Sequence, residues 1–510
     1  RSSGKPPMNV ADWIERWACA TPDRTALRFE GGTLSYPQFN DAIRISARML
    51  RNVLGIEPGD RVAYLGQNHP QLLVLLFACA RLGAILVPLN WRLAPREHLH
   101  MVRDCGARAW IVDEPYVSAC DLLHTEVPDC LFIAMHDAPP AAWSRLVDLE
   151  RSAAGPDRHP GIGLDAPLLI IYTSGTTGVP KGAVLTQQAV QTNALNSVLL
   201  HGMTGGDLIL TMLPLFHVGG LNVQTTTAFY VGATVILHRV FEPQAVLSCL
   251  VDEQPTLTII LPAHMQPLRS LPHWETAPLC LRAVLTGSCA IPDDMVRYWH
   301  DRGIPLLNMY GASETAPIAI HQSVSNARET AGTAGFPAMH CEIRIVDAAG
   351  CDCEVDVPGE ILVRGANVMT GYWNNDDATR SALVDGWFHT GDIGAVDHAG
   401  RYRIVDRKKD MIISGGENIY PTELENVLLS HPDVIEAAVV GRRDAAWGEV
   451  PVAVVVVRPE RGLDKRSVLD WFKGRLGSYK HPRDVVFVEA LPRNEMRKVV
   501  KQVLRDIVAT

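Results

Sequence analysis

The fold is decided by the stretch Leu168-Leu169-Ile170-Ile171-Tyr172-Thr173-Ser174-Gly175-Thr176-Thr177-Gly178-Val179-Pro180-Lys181-Gly182. Its first five residues are continuously apolar, which is typical of a β-strand buried on both faces. The hydroxyl residues and glycines that follow predict a loop whose amides, hydroxyls and lysine can cradle a polyphosphate. The spacing differs from the common P-loop, which needs Gly, four residues and then Gly-Lys-Ser/Thr.

Short β-type runs alternate with helical stretches on both sides of this strand. A helix is expected over residues 71–81, and strands are expected at residues 61–65, 84–88, 109–113, 208–213, 234–237, 257–261 and 282–286. This alternation predicts α/β layers with parallel strands. We therefore expect an α/β fold with a large N-terminal domain of layered sheets.

The sequence pattern changes from Cys341 onward. Short strands separated by Gly-rich turns at residues 342–347, 359–364 and 401–405 predict a small β-rich subdomain. A small α+β C-terminal domain is expected next, with a helix beginning at Pro421, a helix over residues 463–476 and strands at residues 434–440, 452–457 and 485–489. The predicted domains are residues 1–406 and 407–510, with a hinge at residues 406–409.

Length and composition narrow the class of protein. At about 150 residues per domain, 510 residues suggest roughly three domains, or two if one is large. Hydrophobic residues make up 47% and charged residues 20%, which excludes a disordered, collagen-like or coiled-coil chain. The net charge of -9 argues against nucleic-acid binding.

Charge is unevenly distributed along the chain. Residues 407–510 hold 18 Lys+Arg and 15 Asp+Glu, a net charge of +3. The rest of the chain therefore holds 29 Lys+Arg and 41 Asp+Glu, a net charge of -12. A basic C-terminal part beside an acidic body suggests an anionic ligand for the smaller part, although chance explains the asymmetry equally well.

The 11 cysteines show neither a disulfide framework nor a CxxC zinc motif. Reduced thiols and a cytoplasmic location are the expectation. The N-terminus has no signal-peptide pattern, and Arg81 interrupts the longest apolar stretch, so no transmembrane segment is predicted.

Four further motifs follow the first loop in order. The first two are Tyr310-Gly311-Ala312-Ser313-Glu314-Thr315 and His389-Thr390-Gly391-Asp392. The third is the segment of residues 406–421, which includes Arg407, Lys409 and Ser414-Gly415-Gly416. The fourth is Leu491-Pro492-Arg493, followed by Lys498. With the first loop, they resemble the signatures of the adenylate-forming superfamily, which includes acyl-CoA synthetases, luciferases and peptide-synthetase adenylation domains. The resemblance covers essentially the whole chain and is strongest to fatty-acid and aryl-acid CoA ligases.

The resemblance implies a two-step reaction. A carboxylate attacks the α-phosphate of ATP with Mg²⁺ bound, releases pyrophosphate and forms an acyl adenylate, and CoA then displaces AMP. The first step joins two anions, so positive charge and positioning matter more than a base. The implied activity is an acid–CoA ligase of fatty or aryl acid metabolism that acts by domain alternation as a monomer or homodimer.

The resemblance also implies roles for individual residues. Glu314 would bind Mg²⁺, Thr315 would touch the α-phosphate, and Lys498 would bridge the carboxylate and the α-phosphate. Nucleotide contacts are expected from Thr173, Ser174, Gly175, Thr176, Thr177, Gly178, Lys181, Gly287, Tyr310, Gly311, Asp392 and Arg407. Lys409 would be the hinge, and Ser414, Gly415, Gly416 and Trp447 would bind CoA.

His217 lies in the segment Leu213-Pro214-Leu215-Phe216-His217-Val218-Gly219-Gly220. In the acyl-CoA and aryl-CoA branches, a histidine here lies against the carboxylate and gates the acyl pocket. No acidic residue lies between Leu213 and Phe229, which argues against an amino-acid substrate. The expected pocket segments near residues 217–223, 261–264, 287–290 and 309–317 show no cation for a second carboxylate, so a monocarboxylic acid is preferred.

One residue departs from the family pattern, and it leaves two interpretations of the terminal lysine motif open. The family usually has Gly before its terminal lysine, whereas Arg497 precedes Lys498 here. Either the loop tolerates Arg, or adenylation is weakened and Lys501 or Lys480 assists. The rival functions are an acyl-AMP ligase that loads a carrier protein, and an inactive family member that senses nucleotide or acyl ligand. Residues 371–407 lack the insertion that is general in acyl-AMP ligases.

Overall fold

The computed structural model describes residues 7–173, 180–287, 291–414, 417–444, 447–458, 462–473, 475–494 and 498–509. Contacts divide the chain into two compact units. The first unit comprises residues 1–343 and 363–389, and the second comprises residues 344–362 and 390–510. The domain boundary predicted between residues 406 and 407 describes a C-terminal domain that moves as a whole. These contacts do not test that motion, and the boundary stays a prediction.

The strands in chain order are β1 Thr25–Phe29, β2 Gly32–Ser35, β3 Arg61–Leu65, β4 Ile85–Leu89, β5 Ala109–Val112, β6 Leu131–Ala134, β7 Ser144–Arg145, β8 Pro167–Thr173, β9 Lys181–Thr186, β10 Leu208–Thr211, β11 Thr234–Leu237, β12 Leu257–Ile259, β13 Ala283–Gly287, β14 Leu306–Tyr310, β15 Ile320–His321, β16 Phe336–Pro337, β17 Cys341–Val346, β18 Gly359–Gly365, β19 Gly371–Tyr372, β20 Leu383–Val384, β21 Trp387–Val396, β22 Tyr402–Arg407, β23 Ile412–Ser414, β24 Glu417–Ile419, β25 Val434–Asp444, β26 Gly448–Val457 and β27 Asp484–Phe487.

The α-helices are α1 Asp12–Ala20, α2 Tyr36–Arg48, α3 Pro70–Leu82, α4 Pro95–Cys105, α5 Val117–Asp121, α6 Leu146–Arg151, α7 Gln187–His201, α8 Val218–Gly220, α9 Thr226–Val231, α10 Pro243–Asp252, α11 Pro262–Arg269, α12 Asp293–Asp301, α13 Asp376–Ala382, α14 Pro421–Leu429, α15 Lys465–Trp471 and α16 Lys501–Ala509. A π-helical segment, Leu221–Thr225, separates α8 from α9. Within the described residues, no helix is long and apolar enough to cross a membrane.

The first unit contains two large sheets, with strand orders β16-β15-β14-β13-β12-β10-β11-β1-β2 and β19-β9-β8-β4-β3-β5-β6-β7 among the described residues. The central pairs of both sheets are parallel, for example β12 with β13, β13 with β14, and β3 with β4 and β5. The α/β class and the parallel strands predicted from the sequence are confirmed. Buried runs such as residues 168–171 explain why the strands read as continuously apolar.

The two strands on either side of the predicted phosphate loop, β8 and β9, form an antiparallel pair. Strand β9 pairs with β8, and Thr173 lies opposite Lys181. The short strand β19 then pairs antiparallel with β9, with Tyr372 opposite Ala183. Two distant parts of the chain therefore meet beside the predicted phosphate loop.

The second unit has its own sheet with the strand order β24-β23-β26-β25, and β27 pairs with β26. This is the predicted α+β C-terminal architecture. Helix α15 is shorter than the helix expected over residues 463–476, and it begins after Asp464, whose side chain caps it by accepting from the Ser467 N–H. Strands β21 and β22 form an antiparallel hairpin whose register partners include Asp392 and Arg407.

Three phenylalanines close the core between α2, α3 and α9. Phe39, Phe77 and Phe229 are fully buried, with ring centroids separated by 5.1 to 5.9 Å. Aromatic pairs at such distances add to the free energy of burial.

We expect Phe229→Ala to lower the free energy of unfolding of the first unit by about 3–5 kcal/mol, because it leaves a large cavity. Denaturation by urea, followed by tryptophan fluorescence, measures this change. Leu122→Ala is the control, since Leu122 is 81% exposed and its loss should change stability by less than about 0.5 kcal/mol. Equal stability of the two variants would contradict the packing argument.

Candidate active site

The candidate site begins at the carboxyl ends of parallel strands. Gly287 ends β13, and Tyr310 ends the neighbouring β14. A Cβ at Gly287 would lie only 2.9 Å from the Met309 carbonyl oxygen, so these strand ends approach too closely for another residue. Because ligands of parallel α/β sheets bind at this edge, the position fits the role predicted for both residues.

The turn after β14 holds Gly311, Glu314 and Thr315. A Cβ on Gly311 would lie 1.4 Å from the Pro317 carbonyl oxygen, which makes glycine obligatory in this turn. The Thr315 hydroxyl is buried, accepts from the Ala312 N–H at 2.9 Å and donates to the Pro317 carbonyl at 2.8 Å. Thr315 therefore shapes the turn, and its contact with the α-phosphate stays a prediction.

Glu314 is oriented by a residue that the sequence did not suggest. The Tyr372 hydroxyl donates to Glu314 Oε1 at 2.8 Å. Burial raises the pKa of Tyr372, and the neighbouring Glu314 carboxylate raises it further, so the phenol stays a hydrogen-bond donor at physiological pH. The β19–β9 pairing places Tyr372 beside the turn, the Met369 N–H also donates to the Glu314 carbonyl at 2.7 Å, and no local sequence motif predicts either contact.

Lys181 completes this group of three side chains. It begins β9, and its Nζ lies 5.5 Å from the centroid of the Tyr372 ring. A cation near an aromatic face is held by the ring quadrupole. We call Lys181, Tyr372 and Glu314 the lysine–tyrosine–glutamate group.

The other loop residues can be placed only in part. Thr173 ends β8 opposite Lys181, and its hydroxyl donates to the Lys181 carbonyl at 3.4 Å. The predicted phosphate contacts at Ser174, Gly175, Thr176, Thr177 and Gly178 lie outside the described residues.

His217 caps the amino end of α8. Its Nδ1 accepts a hydrogen bond from the Gly219 N–H at 3.0 Å. A neutral imidazole with an accepting Nδ1 carries its proton on Nε2. The ring therefore has a donor suited to a carboxylate oxygen.

In the second unit, Asp392 and Arg407 occupy paired positions. Their Cα atoms face each other across β21 and β22, and the Asp392 N–H donates to Thr390 Oγ1 at 3.0 Å. The structure thus brings together two residues predicted to contact the same part of the nucleotide. Lys409 follows in an exposed turn, and its carbonyl accepts from Arg505 at 3.3 Å.

The predicted CoA residues also converge. Ser414, at the end of β23, is the register partner of Gly448, the residue after Trp447. Trp447 is 47% exposed, and the Arg483 guanidinium lies 5.4 Å from its ring centroid. Gly415 and Gly416 lie outside the described residues.

Lys498 is exposed and makes two hydrogen bonds with Asn494. Its N–H donates to Asn494 Oδ1 at 2.9 Å, and the Asn494 N–H donates to the Lys498 carbonyl at 2.8 Å. Arg497 lies outside the described residues. The alternative lysines are engaged elsewhere, since Lys480 pairs with Glu423 at 2.7 Å and Lys501 with Glu425 at 2.8 Å.

Comparison with known proteins gives the class of this protein. Residues 14–373 match the model of the AMP-binding enzyme family, and residues 423–498 match that of the AMP-binding enzyme C-terminal domain. The chain therefore belongs to the AMP-binding enzyme family.

Several relatives match over nearly their whole length. The chain is 47% identical to indoleacetate–CoA ligase from Aromatoleum aromaticum, covering 98% of both chains. It is 38% identical to feruloyl-CoA synthase from Amycolatopsis, covering 98% of this chain and 99% of that protein. The o-succinylbenzoate CoA synthetase of Bacillus subtilis, solved with an acyl adenylate, is 32% identical, with a TM-score of 0.86 over 97% and 98% of the chains. Its complex with ATP and magnesium gives a TM-score of 0.84, with the same identity and coverage.

We expect Tyr372→Phe to raise the Mg²⁺ concentration needed for half-maximal pyrophosphate release by about 3- to 10-fold, because a hydrogen bond to a charged group is lost. Titration of activity with Mg²⁺ at saturating ATP measures this change.

Tyr36→Phe is the matched control, since this buried hydroxyl donates to the Ala233 carbonyl at 2.7 Å. An unchanged Mg²⁺ dependence in Tyr372→Phe would show that Tyr372 does not orient Glu314 for the metal.

Proposed function

We propose that this chain, an ATP-dependent acid–CoA ligase, activates an aryl monocarboxylic acid. The aryl part of the proposal is supported by relatives that are named for indoleacetate, ferulate and o-succinylbenzoate. The monocarboxylic part is supported by indoleacetate and ferulate, and by the lack of Arg or Lys in the expected pocket segments, whereas o-succinylbenzoate has two carboxylates. The acid, ATP and CoA are its substrates, and Mg²⁺ is its metal ion. Fatty acids are the alternative class and are separated from aryl acids by the experiment below.

The observation that carries the proposed residue roles is the lysine–tyrosine–glutamate group. It links Glu314 to Lys181, which borders the predicted phosphate loop. Mg²⁺ in phosphoryl-transfer sites is held by one or two carboxylates together with substrate phosphates. Glu314, with Oε1 engaged by Tyr372, fits such a partial ligand set, and Mg²⁺ there would offset negative charge on the phosphates.

Adenylation requires a carboxylate oxygen to form a bond to the α-phosphorus while the bond to pyrophosphate breaks. Two anions approach, so cations and N–H donors must hold them together. We assign Lys498 to the carboxylate and the α-phosphate, and the Nε2–H of His217 to the carboxylate. Lys181 neutralises the leaving pyrophosphate, while Asp392 and Arg407 hold the ribose.

Thioesterification follows at the carbonyl carbon of the acyl adenylate. The CoA thiol gives up its proton, its sulfur forms a bond to that carbon, and the carbon–oxygen bond to AMP breaks, so that AMP leaves with the bonding electrons. We assign the paired positions Ser414 and Gly448 and the exposed ring of Trp447 to the pantetheine arm. Lys409 is the proposed hinge for the change between the two half-reactions.

Lys498→Ala is expected to reduce acid-dependent pyrophosphate release by about 100-fold or more, because an electrostatic contact made in the transition state is removed. Lys473→Ala is the matched control, since its ammonium pairs on the surface with Asp470 at 2.6 Å. Wild-type release by Lys498→Ala would refute the role of Lys498. A large rate gain in Arg497→Gly would show that Arg497 weakens adenylation.

The substrate class is tested by pyrophosphate release with graded fatty acids and with indoleacetic, benzoic and cinnamic acids, each with and without CoA. We expect CoA-dependent turnover that is at least about 10-fold faster on an aryl acid. Faster turnover of a fatty acid would contradict the aryl assignment. Pyrophosphate release that does not depend on CoA would favour transfer of the acyl group to a carrier protein.

A further inference from the structure

Asp104 lies in the last turn of helix α4, in the first unit. A carboxylate at the carboxyl end of a helix is unfavourable, because the helix dipole places partial negative charge there. The Asp104 side chain is only partly exposed, and its Oδ2 accepts a hydrogen bond from the Tyr172 hydroxyl at 2.5 Å. The contacts of Asp104 explain why an acid stands at this end of the helix.

The contact with Tyr172 fixes the strand that enters the predicted phosphate loop. Tyr172 directly precedes Thr173 on β8, and burial raises the pKa of its phenol, so the hydroxyl stays a donor. The Met101 carbonyl lies 3.3 Å from the same hydroxyl, but the shorter contact with the carboxylate takes its one proton. The Tyr172 ring packs on its register partner Gly182, where a Cβ would lie 3.3 Å from the ring carbon Cζ.

The main chain of Asp104 contacts the strand beside the other end of that loop. The Asp104 carbonyl accepts from Trp373 Nε1 at 3.1 Å and from Asn374 Nδ2 at 2.9 Å. Trp373 directly follows Tyr372, and its N–H donates to the Gly182 carbonyl at 2.7 Å. Carbonyls in the last turn have no partner within their own helix, so both donors satisfy a group that α4 leaves open.

Arg61 holds this end of α4 independently of the Asp104 carboxylate. Its guanidinium donates to the carbonyls of Cys105 and Gly106 at 2.5 and 2.6 Å and lies 5.2 Å from the Trp373 ring centroid. A cation near an aromatic ring is attracted to it. Removal of the carboxylate should therefore release Tyr172 while the helix end keeps its place.

We propose that Asp104 is a positioning residue for the phosphates of ATP. Its carboxylate acts through Tyr172 on the strand that enters the phosphate loop, and its carbonyl acts through Trp373 on the lysine–tyrosine–glutamate group. The inference rests on the proposed function, in which the loop and that group bind ATP and Mg²⁺. One residue then sets where the loop lies relative to the carboxylate that binds the metal ion.

The physical reason is preorganisation. A loop whose entering strand is held in place loses less freedom when it closes on a polyphosphate, so ATP binds more tightly. A small displacement of positioning groups is costly even when it begins away from the reacting atoms. The acid is expected to bind at other segments of the first unit, so its KM should not follow that of ATP.

The test measures steady-state pyrophosphate release with CoA and the acid that is turned over fastest. We expect Asp104→Ala and Tyr172→Phe each to raise the KM for ATP by about 5- to 20-fold and to leave the KM for the acid within about 2-fold. Asp104→Asn should restore most of the loss, because its amide oxygen still accepts from the phenol. The double variant should lose no more than either single variant, since the two side chains act as a pair.

Asp121→Ala is the matched control. Asp121 also ends a helix, α5, and its carboxylate accepts from Trp143 Nε1 at 2.9 Å, which joins that helix to the residue before β7. Its loss should leave the KM for ATP unchanged. An unchanged KM for ATP in Tyr172→Phe, which removes a single oxygen atom, would overturn the inference. Equal rises in the KM for ATP and for the acid would overturn it as well, because they would indicate a general loss of packing.

A second measurement removes the dependence on the substrate class. Calorimetric titration of the full chain with ATP and Mg²⁺, without acid or CoA, gives the Kd of ATP directly. We expect Asp104→Ala and Tyr172→Phe to raise this Kd by about 5- to 20-fold, and Trp373→Phe to raise it less, since Asn374 still donates to the same carbonyl. Equal Kd values in the wild type and in these variants would overturn the inference and leave the proposed function intact. Faster turnover of a fatty acid, with the expected rise in Kd, would overturn the aryl assignment and support the inference.

Discussion

The antiparallel pairing of β19 with β9 is the constraint on which the nucleotide side of the first unit depends. It places Tyr372 opposite Ala183, on the strand that Lys181 begins. A slip of one residue would turn Tyr372 to the opposite face of the sheet and separate it from Glu314. One register therefore decides whether a carboxylate, a phenol and an ammonium group meet.

The pattern of buried strands was predictable because parallel strands covered on both faces are apolar throughout. Residues 168–172 and 234–237 are such runs, and both are strands in the structure. The β19–β9 pairing was not predictable, since a two-residue strand carries no periodicity. The π-helical segment Leu221–Thr225 was equally invisible, because it differs from an α-helix only in its hydrogen-bond pattern.

In the candidate site, too, some residues could be predicted from the sequence and others could not. Motif residues such as Glu314 and Asp392 could be named because resemblance assigns roles position by position. The partner of Glu314 could not be named, since Tyr372 reaches its place only through tertiary packing.

Within the first unit, buried amides connect the π-helical segment Leu221–Thr225 to the turn that carries Glu314. The Asn193 side chain donates to the Asn222 carbonyl at 2.8 Å and accepts from the Ile318 N–H at 2.9 Å. Asn367 donates to the carbonyls of Thr315 and Ile318 at 2.7 and 3.1 Å. Fully buried amides are costly unless they are hydrogen-bonded, and apolar residues would pack here without that requirement.

Their presence is explained by the two segments that they join. The π-helical segment follows His217 in the chain, and the turn carries Glu314, so a displacement of one is resisted by amides anchored on the other. Asn222 adds to this cost, because neither polar atom of its buried side chain has a hydrogen-bond partner among the described residues. A core that accepts such a cost gives up stability to hold the two segments at defined positions, which is what a site that brings an acid to a nucleotide requires.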